Sequence, residues 1–291
     1  MSDQKINIFA TGSSGLVGSR IKELLNDKYS FQDLSYDTGV DITNPETLEI
    51  LRSDTDHQIV LHLAAKADVD GCEQDKPLGE EGPAFKINVG GTRNVVDACR
   101  PTNKKIIYIS TDFVFDGKNV PEHGYAEDDP AHPLNWYAET KFRGEEVVKN
   151  SGLPFLIVRI SYPYRKKFDV KKDFVKAIRE RLENKQQVVG VTDHMFMPTF
   201  IDDIAYALDK LIVTESTGIY HVVGDQCLSP YDAAMLIAEK FDLDKSLISE
   251  TTREQFFKGR AERPFNLKLN NDKIHKLSVQ MRTFEEGLNE L

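Results

Sequence analysis

A hydroxyl pair, a tyrosine and a lysine follow one another in the middle of the sequence. Ser110 and Thr111 end a largely apolar run, and the stretch PLNWYAETKFRGEE follows. Its Tyr137 and Lys141 are four residues apart, so on a helix they share one face, one turn apart. A phenol with an ordinary pKa of about 10 needs help to exchange protons at neutral pH, and a nearby ammonium lowers that pKa. We therefore expect Tyr137 to protonate a carbonyl oxygen during hydride transfer, Lys141 to lower its pKa and Thr111 to orient the oxygen.

A second stretch, ATGSSGLVGSR, follows the first apolar run and carries glycines at 12, 15 and 18. This GxxGxxG spacing differs from the usual GxGxxG fingerprint, but the same physics applies. Gly12 allows a tight turn, Gly15 lets the backbone approach a pyrophosphate, and Gly18 lets the helix pack closely. The pyrophosphate then lies at a helix N-terminus, whose free N–H groups favour an anion. The expected cofactor-binding residues of this turn are Gly12, Ser13, Ser14, Gly15, Leu16, Val17 and Gly18.

The remaining cofactor candidates follow the next two strand candidates. Asp37 comes after the second, where a carboxylate accepts hydrogen bonds from ribose hydroxyls and repels a 2′-phosphate, which favours NAD. Lys141 is expected to bind the nicotinamide ribose beside Tyr137. Both NAD(H) and NADP(H) stay open. Residues expected near the adenine or under the cofactor are Asp41, Ile42, Leu63, Ala64 and Ala65.

The elements that must position these residues alternate along the first 160 positions. Short β-rich runs are separated by helical patterns, and QIVLHLAA is a nearly continuous apolar run typical of a buried parallel strand. This alternation predicts an α/β fold, a Rossmann-type doubly wound parallel sheet whose strand carboxyl ends share the ligand-binding edge. The predicted strands are 5–10, 31–36, 58–65, 104–110 and 154–161.

After residue 160 the alternation loosens. Helices are expected at 173–184 and 229–241, and the strand GIYHVVG lies between them. We interpret this part as a smaller C-terminal α/β substrate-binding cap. The expected domains are an NAD(P)-binding Rossmann domain at 1–160 plus about 191–222, and the cap at about 161–190 and 223–291.

Composition excludes several classes of partner. The 291-residue chain has 37 basic and 47 acidic residues, a net charge of −10, which argues against nucleic acid or an anionic membrane surface. No apolar run approaches the ~18 residues of a membrane span, and the first residues do not resemble a signal peptide. The three cysteines lack CxxC spacing and the seven histidines lack metal-ligand spacing. We expect a cytoplasmic protein without a metal site.

Motifs across nearly the whole chain resemble the extended short-chain dehydrogenases/reductases, and within them the dTDP-4-dehydrorhamnose reductase family. The resemblance implies NAD(P)H-dependent reduction of the 4-keto group of a nucleotide-linked 6-deoxysugar. It assigns catalysis to Thr111, Tyr137 and Lys141. The matching stretches are TGSSGLVG, HLAAKADVDGCE, KINVGGTRNV, ISTDFVFDG, PLNWYAETKFRGE, VRISY, MPTFIDDIA and RPFNLKLN.

The same resemblance implies the substrate-binding residues. Asp112 and Phe113 would line the sugar. Tyr162 stands where many relatives have a tryptophan, and Arg263 of RPFN is the candidate for binding phosphate, which suits a guanidinium. The stretch DHMFMPT replaces a more usual DQxGxPT, so we expect its bulky residues 195–197 beside the substrate.

A sister family, the regulatory β subunit of methionine adenosyltransferase, is the alternative. Its corresponding loop is closer to TDHMFMPT, and in that reading the partner is the synthetase and the reductase residues are unused. A nucleotide-sugar dehydratase is disfavoured because Phe113 stands where an acidic residue is needed, and an epimerase usually has a Ser-Ser pair at 110–111. The oligomeric state stays open, with a homodimer as one candidate.

Overall fold

The structure is a computed structural model, and it describes residues 5–291. Its strands are β1 (Ile6–Thr11), β2 (Tyr29–Leu34), β3 (Ile59–His62), β4 (Lys105–Thr111), β5 (Phe155–Ile160), β6 (Pro163–Tyr164), β7 (Val188–Val191), β8 (Thr199–Phe200), β9 (Gly218–His221) and β10 (Ile248–Thr251). Its α-helices are α1 (Leu16–Leu25), α2 (Glu49–Ser53), α3 (Val69–Asp75), α4 (Pro83–Phe85), α5 (Thr92–Cys99), α6 (Trp136–Lys149), α7 (Phe174–Glu183), α8 (Ile201–Val213), α9 (Pro230–Lys240), α10 (Arg253–Phe256), α11 (Asp272–His275) and α12 (Phe284–Asn289). A π-helical stretch, Lys86–Gly91, joins α4 to α5.

Six strands form one parallel sheet in the order β2-β1-β3-β4-β5-β9. The predicted α/β fold with a doubly wound parallel sheet is therefore confirmed. Because β1 lies between β2 and β3, the connection from β1 to β2 runs to one side of β1, and the next strand, β3, lies on its other side. The carboxyl ends of β1 and β3 thus form a topological switch point, where α/β proteins bind ligands.

Helices cover both faces of the sheet because its strands are apolar on both sides. On one face, Ile21 of α1 and Leu208 of α8 pack with Ile107 of β4 in one core. On the other face, Val95 of α5 packs with Ile106 of β4 in a second core, joined by residues of α2 and α6. The cores hold β1, β3 and β4 in register, which brings their carboxyl ends to one edge.

The chain after β5 contributes to the sheet and also builds a second layer. β9 pairs with β5 at the sheet edge, while β7 pairs with β10 and β6 with β8 in two small parallel sheets. A separate aromatic core there includes Tyr164, Phe196 and Phe284. The division into a Rossmann domain and a cap stays a prediction.

The described residues bear on two sequence-based expectations, that the chain has no membrane-spanning segment and no metal site. Within residues 5–291, no helix combines the length and apolar character that crossing a bilayer requires. The same residues contain no group of three or more His, Cys, Asp or Glu side chains placed to hold a metal ion.

Candidate functional site

The glycine turn, residues 12–18, links β1 to α1 at the switch point. Gly12 has φ +66°, and a Cβ there would lie 2.6 Å from the backbone nitrogen of Ala64. A Cβ at Gly18 would lie 2.7 Å from the Cα of Ser13. Both positions therefore require glycine, because the backbone at the end of β3 and the first turn of α1 pack directly against the turn.

Gly15 occupies the open side of the same turn. It is the N-cap of α1 with extended backbone, and the nearest atom to a Cβ placed there is the Gly12 carbonyl oxygen at 3.3 Å. Ser14 and Gly15 are exposed, whereas Leu16 and Val17 are half-buried. The turn thus presents a helix N-terminus behind an uncrowded backbone surface, and these residues fit the pyrophosphate of a dinucleotide.

Ser13 differs from its neighbours because its side chain serves the fold. It is 2% exposed, and its hydroxyl donates a hydrogen bond to the Asp33 carboxylate on β2. Lys22 of α1 pairs with the other oxygen of Asp33. Only the backbone of Ser13 therefore remains to contact a phosphate.

The other cofactor candidates lie around the ends of β2 and β3. Asp37 is exposed in a short 3₁₀ turn, Tyr36–Thr38. The Asp41 carboxylate accepts hydrogen bonds from the nitrogen and hydroxyl of Thr43, both at 2.8 Å, and the hydroxyl contact is the main cause that lowers the pKa of Asp41. Ile42 is buried against Gly91, so its side chain is a core residue.

The end of β3 is tied to the end of β1. Leu63 donates its N–H to the Thr11 carbonyl at 3.0 Å, and Ala64 donates its N–H to the Thr11 hydroxyl at 3.3 Å. Leu63, Ala64 and Ala65 are half-buried. Their small or apolar side chains leave a surface beside the glycine turn on which a flat ring can lie.

Helix α6 carries both Tyr137 and Lys141 to the end of β4. Its N-cap Asn135 accepts the N–H of Ala138 at 2.9 Å, which fixes the first turn. Lys141 is 3% exposed, and its ammonium donates to the Ile109 carbonyl at 2.8 Å. The ammonium also lies 4.0 Å from the centre of the Tyr108 ring.

Burial sets the ionisation of this pair. It lowers the pKa of Lys141 to about 7, and the charge of buried Glu145 one turn further along α6 opposes the shift. Burial raises the pKa of the Tyr137 phenol, and a hydrogen bond with Thr111 opposes that. Desolvation dominates the pKa of this phenol, and Lys141 contributes no shift while its ammonium is held by the Ile109 carbonyl, so the expected lowering of the phenol pKa by Lys141 stays a prediction. Tyr137 is therefore protonated at neutral pH.

Thr111 ends β4 and caps a 3₁₀ turn, Asp112–Val114, by accepting the N–H of Phe113 at 3.2 Å. Asp112 is buried, which raises the pKa of its carboxyl group to about 6, and Ser161 donates to it at 2.6 Å. The Ser110 hydroxyl is buried and has no hydrogen-bond partner among the described residues. Asp112 thus joins the ends of β4 and β5 and does not project freely towards a ligand.

An aromatic wall, formed by Phe113 and Tyr162, stands beside Tyr137. The Phe113 ring centre lies 6.0 Å from that of Tyr137, edge to face, and 6.1 Å from that of Tyr162. The structure therefore brings the predicted catalytic tyrosine and two predicted substrate residues together, although they come from three separate segments.

Arg263 is more constrained than a free phosphate ligand would be. It is 6% exposed, and its guanidinium donates to Asp70 of α3 at 3.0 Å and to the Ala261 carbonyl at 2.7 Å. Arg260 donates to the same carboxylate. Together with Arg253, these arginines line a cavity of about 290 Å³ that also includes Phe257.

Several residues that build the site were not singled out from the sequence. Asp70 anchors Arg263, and Ser161 anchors Asp112; each stands in a stretch quoted above, but neither residue type signals its partner. Of the bulky residues in DHMFMPT, Phe196 (1% exposed) and Met197 (5% exposed) are buried in the core, and Met195 is half-buried. Phe196 packs on the predicted substrate residue Tyr162, with ring centres 4.3 Å apart, so the placement of 195–197 beside the substrate stays a prediction.

The chain matches the family model described as "RmlD substrate binding domain" over residues 6–291. It belongs to the RmlD substrate binding domain family. Membership confirms the resemblance seen in the sequence.

Two dTDP-4-dehydrorhamnose reductases are similar to this chain over almost its whole length. The dTDP-4-dehydrorhamnose reductase of Aggregatibacter actinomycetemcomitans is 29% identical over 97% of this chain and 96% of the relative. The crystal structure of dTDP-4-dehydrorhamnose reductase from Bacillus anthracis, in complex with NADP, has a TM-score of 0.88 and 29% identity, and the match covers 98% of each chain. These similarities confirm the predicted type, an NAD(P)-dependent oxidoreductase of the short-chain dehydrogenase/reductase class.

The sister family is also represented. Methionine adenosyltransferase 2 subunit beta of Mus musculus is 26% identical over 97% of this chain and 86% of that protein. The reductase and the adenosyltransferase subunit therefore both match nearly the whole of this chain in sequence, and these two similarities alone do not choose between their activities.

Proposed function

We propose that this protein reduces the 4-keto group of a nucleotide-linked 6-deoxysugar with NADH or NADPH. The observation that carries the proposal is the meeting of Thr111, Tyr137 and Lys141 at the carboxyl end of β4, beside the glycine turn. The NADP-bound relative of similar structure and the reductase relative support it.

The reduction needs one hydride and one proton. The bound dinucleotide supplies the hydride to the carbonyl carbon. Tyr137 donates its phenolic proton to the carbonyl oxygen, so the C=O group becomes CH–OH. Because burial raises the pKa of Tyr137, the phenol is protonated at neutral pH and carries the proton that this step requires.

Thr111 and Lys141 support that transfer. The Thr111 hydroxyl lies at the end of β4 and donates to the Asp112 carboxylate at 3.0 Å, and by rotating it can donate to the same carbonyl oxygen instead. Lys141 binds a ribose hydroxyl of the dinucleotide. Its ammonium also stabilises the tyrosinate that remains after proton transfer.

The proposal is tested by incubating the purified protein with dTDP-4-dehydrorhamnose and either NADH or NADPH. We expect substrate-dependent loss of the reduced nicotinamide signal and formation of a dTDP-linked 6-deoxyhexose, identified by mass spectrometry. No oxidation of either dinucleotide with this sugar or with other 4-keto nucleotide sugars would contradict the proposal.

The similarity to the adenosyltransferase subunit supports a second candidate, a dinucleotide-binding regulatory subunit of methionine adenosyltransferase. That reading predicts a stable complex with the synthetase and no sugar turnover. Co-purification with a methionine adenosyltransferase catalytic subunit, measured beside the turnover assay, separates the two candidates.

A further inference from the structure

Tyr162 has an unusual backbone conformation directly after β5. Its φ is +39°, in the left-handed region that residues other than glycine rarely occupy. Such a strained conformation persists only where surrounding contacts enforce it. The contacts that enforce this backbone conformation therefore indicate the role of the Tyr162 side chain.

Aromatic rings enclose the Tyr162 side chain. The ring of Phe196 lies 4.3 Å away between centres, and the ring of Phe174 packs edge to face at 6.1 Å. Phe113 packs on another side and itself contacts Tyr137. Tyr162 thus connects the predicted proton donor to the cap.

His194 holds the other end of this side chain. Its Nε2 lies 3.0 Å from the Tyr162 hydroxyl, and its Nδ1 lies 2.6 Å from the Pro264 carbonyl oxygen. A carbonyl oxygen can only accept, so Nδ1 carries the hydrogen and Nε2 is the acceptor. The Tyr162 hydroxyl must therefore donate its hydrogen to His194.

The environment keeps His194 in that state. The side chain is buried, and burial lowers the pKa of its imidazole to about 4, with nearby Arg263 and Arg253 lowering it further and Asp193 opposing. His194 is therefore neutral across the physiological range. Its carbonyl partner, Pro264, directly follows Arg263, so the same segment anchors both groups.

We propose that His194 is a positioning residue that fixes Tyr162 in the aromatic wall beside Tyr137, where Tyr162 determines substrate specificity. Because its hydroxyl hydrogen is already donated to His194, the half-buried Tyr162 can contact a substrate through its apolar ring, which suits the C–H-rich side of a sugar. The inference rests on the proposed function and assigns a substrate-positioning role to the otherwise unexplained His194.

The test compares His194→Phe, Tyr162→Phe and the double variant. Losing one buried hydrogen bond corresponds to about three- to tenfold in affinity. We expect each single variant to raise KM for dTDP-4-dehydrorhamnose by that factor while kcat changes less than about twofold and dinucleotide Kd stays constant. The double variant should be no worse than either single one, because the hydroxyl acts through His194.

Two further variants separate positioning from general destabilisation. His194→Gln can accept from Tyr162 and donate to Pro264, so it should restore KM. His57→Phe is the matched control: this half-buried imidazole stacks on Phe9 at 4.1 Å before β3, at the opposite edge of the sheet. It should leave KM unchanged even if it lowers Tm.

The outcomes distinguish this inference from the proposed function. Normal turnover with unchanged KM in His194→Phe, or additive effects in the double variant, would overturn the role of His194 and leave the function intact. If the wild type shows no turnover, the same variants are measured by calorimetric binding of dTDP-rhamnose to the dinucleotide-loaded protein. The expected pattern of affinities there supports the inference without the reductase activity, whereas no binding by the wild type overturns both.

Discussion

The glycine turn and the aromatic wall lie on the same edge of the sheet, but they are built in opposite ways. In the turn, backbone atoms make the close contacts, and its three glycines lie within one run of seven residues, 12–18. In the wall, side chains make the contacts. Phe113, Tyr162 and the His194 that binds the Tyr162 hydroxyl come from segments far apart in the chain.

This difference has a chemical reason. A pyrophosphate is recognised by N–H groups and a helix dipole, which the backbone supplies at a helix N-terminus whatever the side chains, so the turn needs only glycines where atoms crowd. A sugar must be distinguished by shape, which only particular side chains provide. We therefore expect the turn to tolerate changes in side-chain chemistry and the wall to be sensitive to them.

The largest effect is expected at Tyr137, which packs against the aromatic wall. Tyr137→Phe removes the only proton that the phenol can donate, and we expect kcat to fall by about 10²–10⁴-fold. Dinucleotide Kd should be nearly unchanged, because the glycine turn is untouched. A rate close to that of the wild type would show that another group supplies the proton and would break the assignment.

Substitution in the glycine turn at Gly12 should mainly lower the stability of the fold. Gly12→Ala forces a side chain into a left-handed conformation 2.6 Å from the Ala64 nitrogen, and we expect the free energy of unfolding to fall by about 2–4 kcal/mol. The matched control is Gly15→Ala, where a Cβ meets open space apart from one 3.3 Å contact. It should leave unfolding by urea nearly unchanged but weaken dinucleotide binding. Equal effects on stability would refute the distinction between these two glycines.

Lys141, one helical turn from Tyr137, is expected to serve the function while lowering the stability of the fold. Its pKa is lowered to about 7 from an ordinary value near 10.5, so burying its charge destabilises the fold progressively as the pH falls from about 10.5 towards 7. Lys141→Met should therefore abolish most activity yet raise the free energy of unfolding by about 1–3 kcal/mol below pH 7, less the cost of an unpaired Ile109 carbonyl. The gain should shrink as the pH rises to 9.5. Urea titrations at several pH values check this, and a gain that grows with pH would contradict it.

The smallest effect is expected at the outer end of the cofactor region. Asp37 is exposed after β2, where its carboxylate would repel a 2′-phosphate. Asp37→Ala should improve NADPH affinity relative to NADH by about two- to fivefold, on the scale of one exposed charge interaction. Calorimetric titration with both dinucleotides checks the ratio. An unchanged ratio would place dinucleotide selection elsewhere.

Much of the scaffold could be predicted from local patterns. The alternation of apolar runs with amphipathic segments predicts the parallel sheet because each element must bury one face or both. Strand ends were predicted less well: β3 ends at His62 and not at 65, and the second strand is Tyr29–Leu34 and not 31–36, since Ser35 and the residues after it form a turn. Local turn chemistry prevailed there over the apolar pattern.

The partners of charged groups could not be predicted in this way. Arg263 was expected to face a phosphate, but it pairs with Asp70, which is nearly two hundred positions earlier in the chain. The four-residue spacing of Tyr137 and Lys141 placed them on one helix face without revealing which atoms they meet. Spacing describes neighbours along an element and says nothing about what packs onto that element.

The sequence by itself determined the order of strands and helices, the positions that must be glycine and the presence of a tyrosine and a lysine on one helix face. Tertiary structure decided that this phenol is protonated, that this ammonium is weakly basic, and that Tyr162 is held by His194. The reason is physical: periodicity and backbone strain are local properties, whereas desolvation and hydrogen-bond partnership depend on atoms that meet only when distant segments pack together.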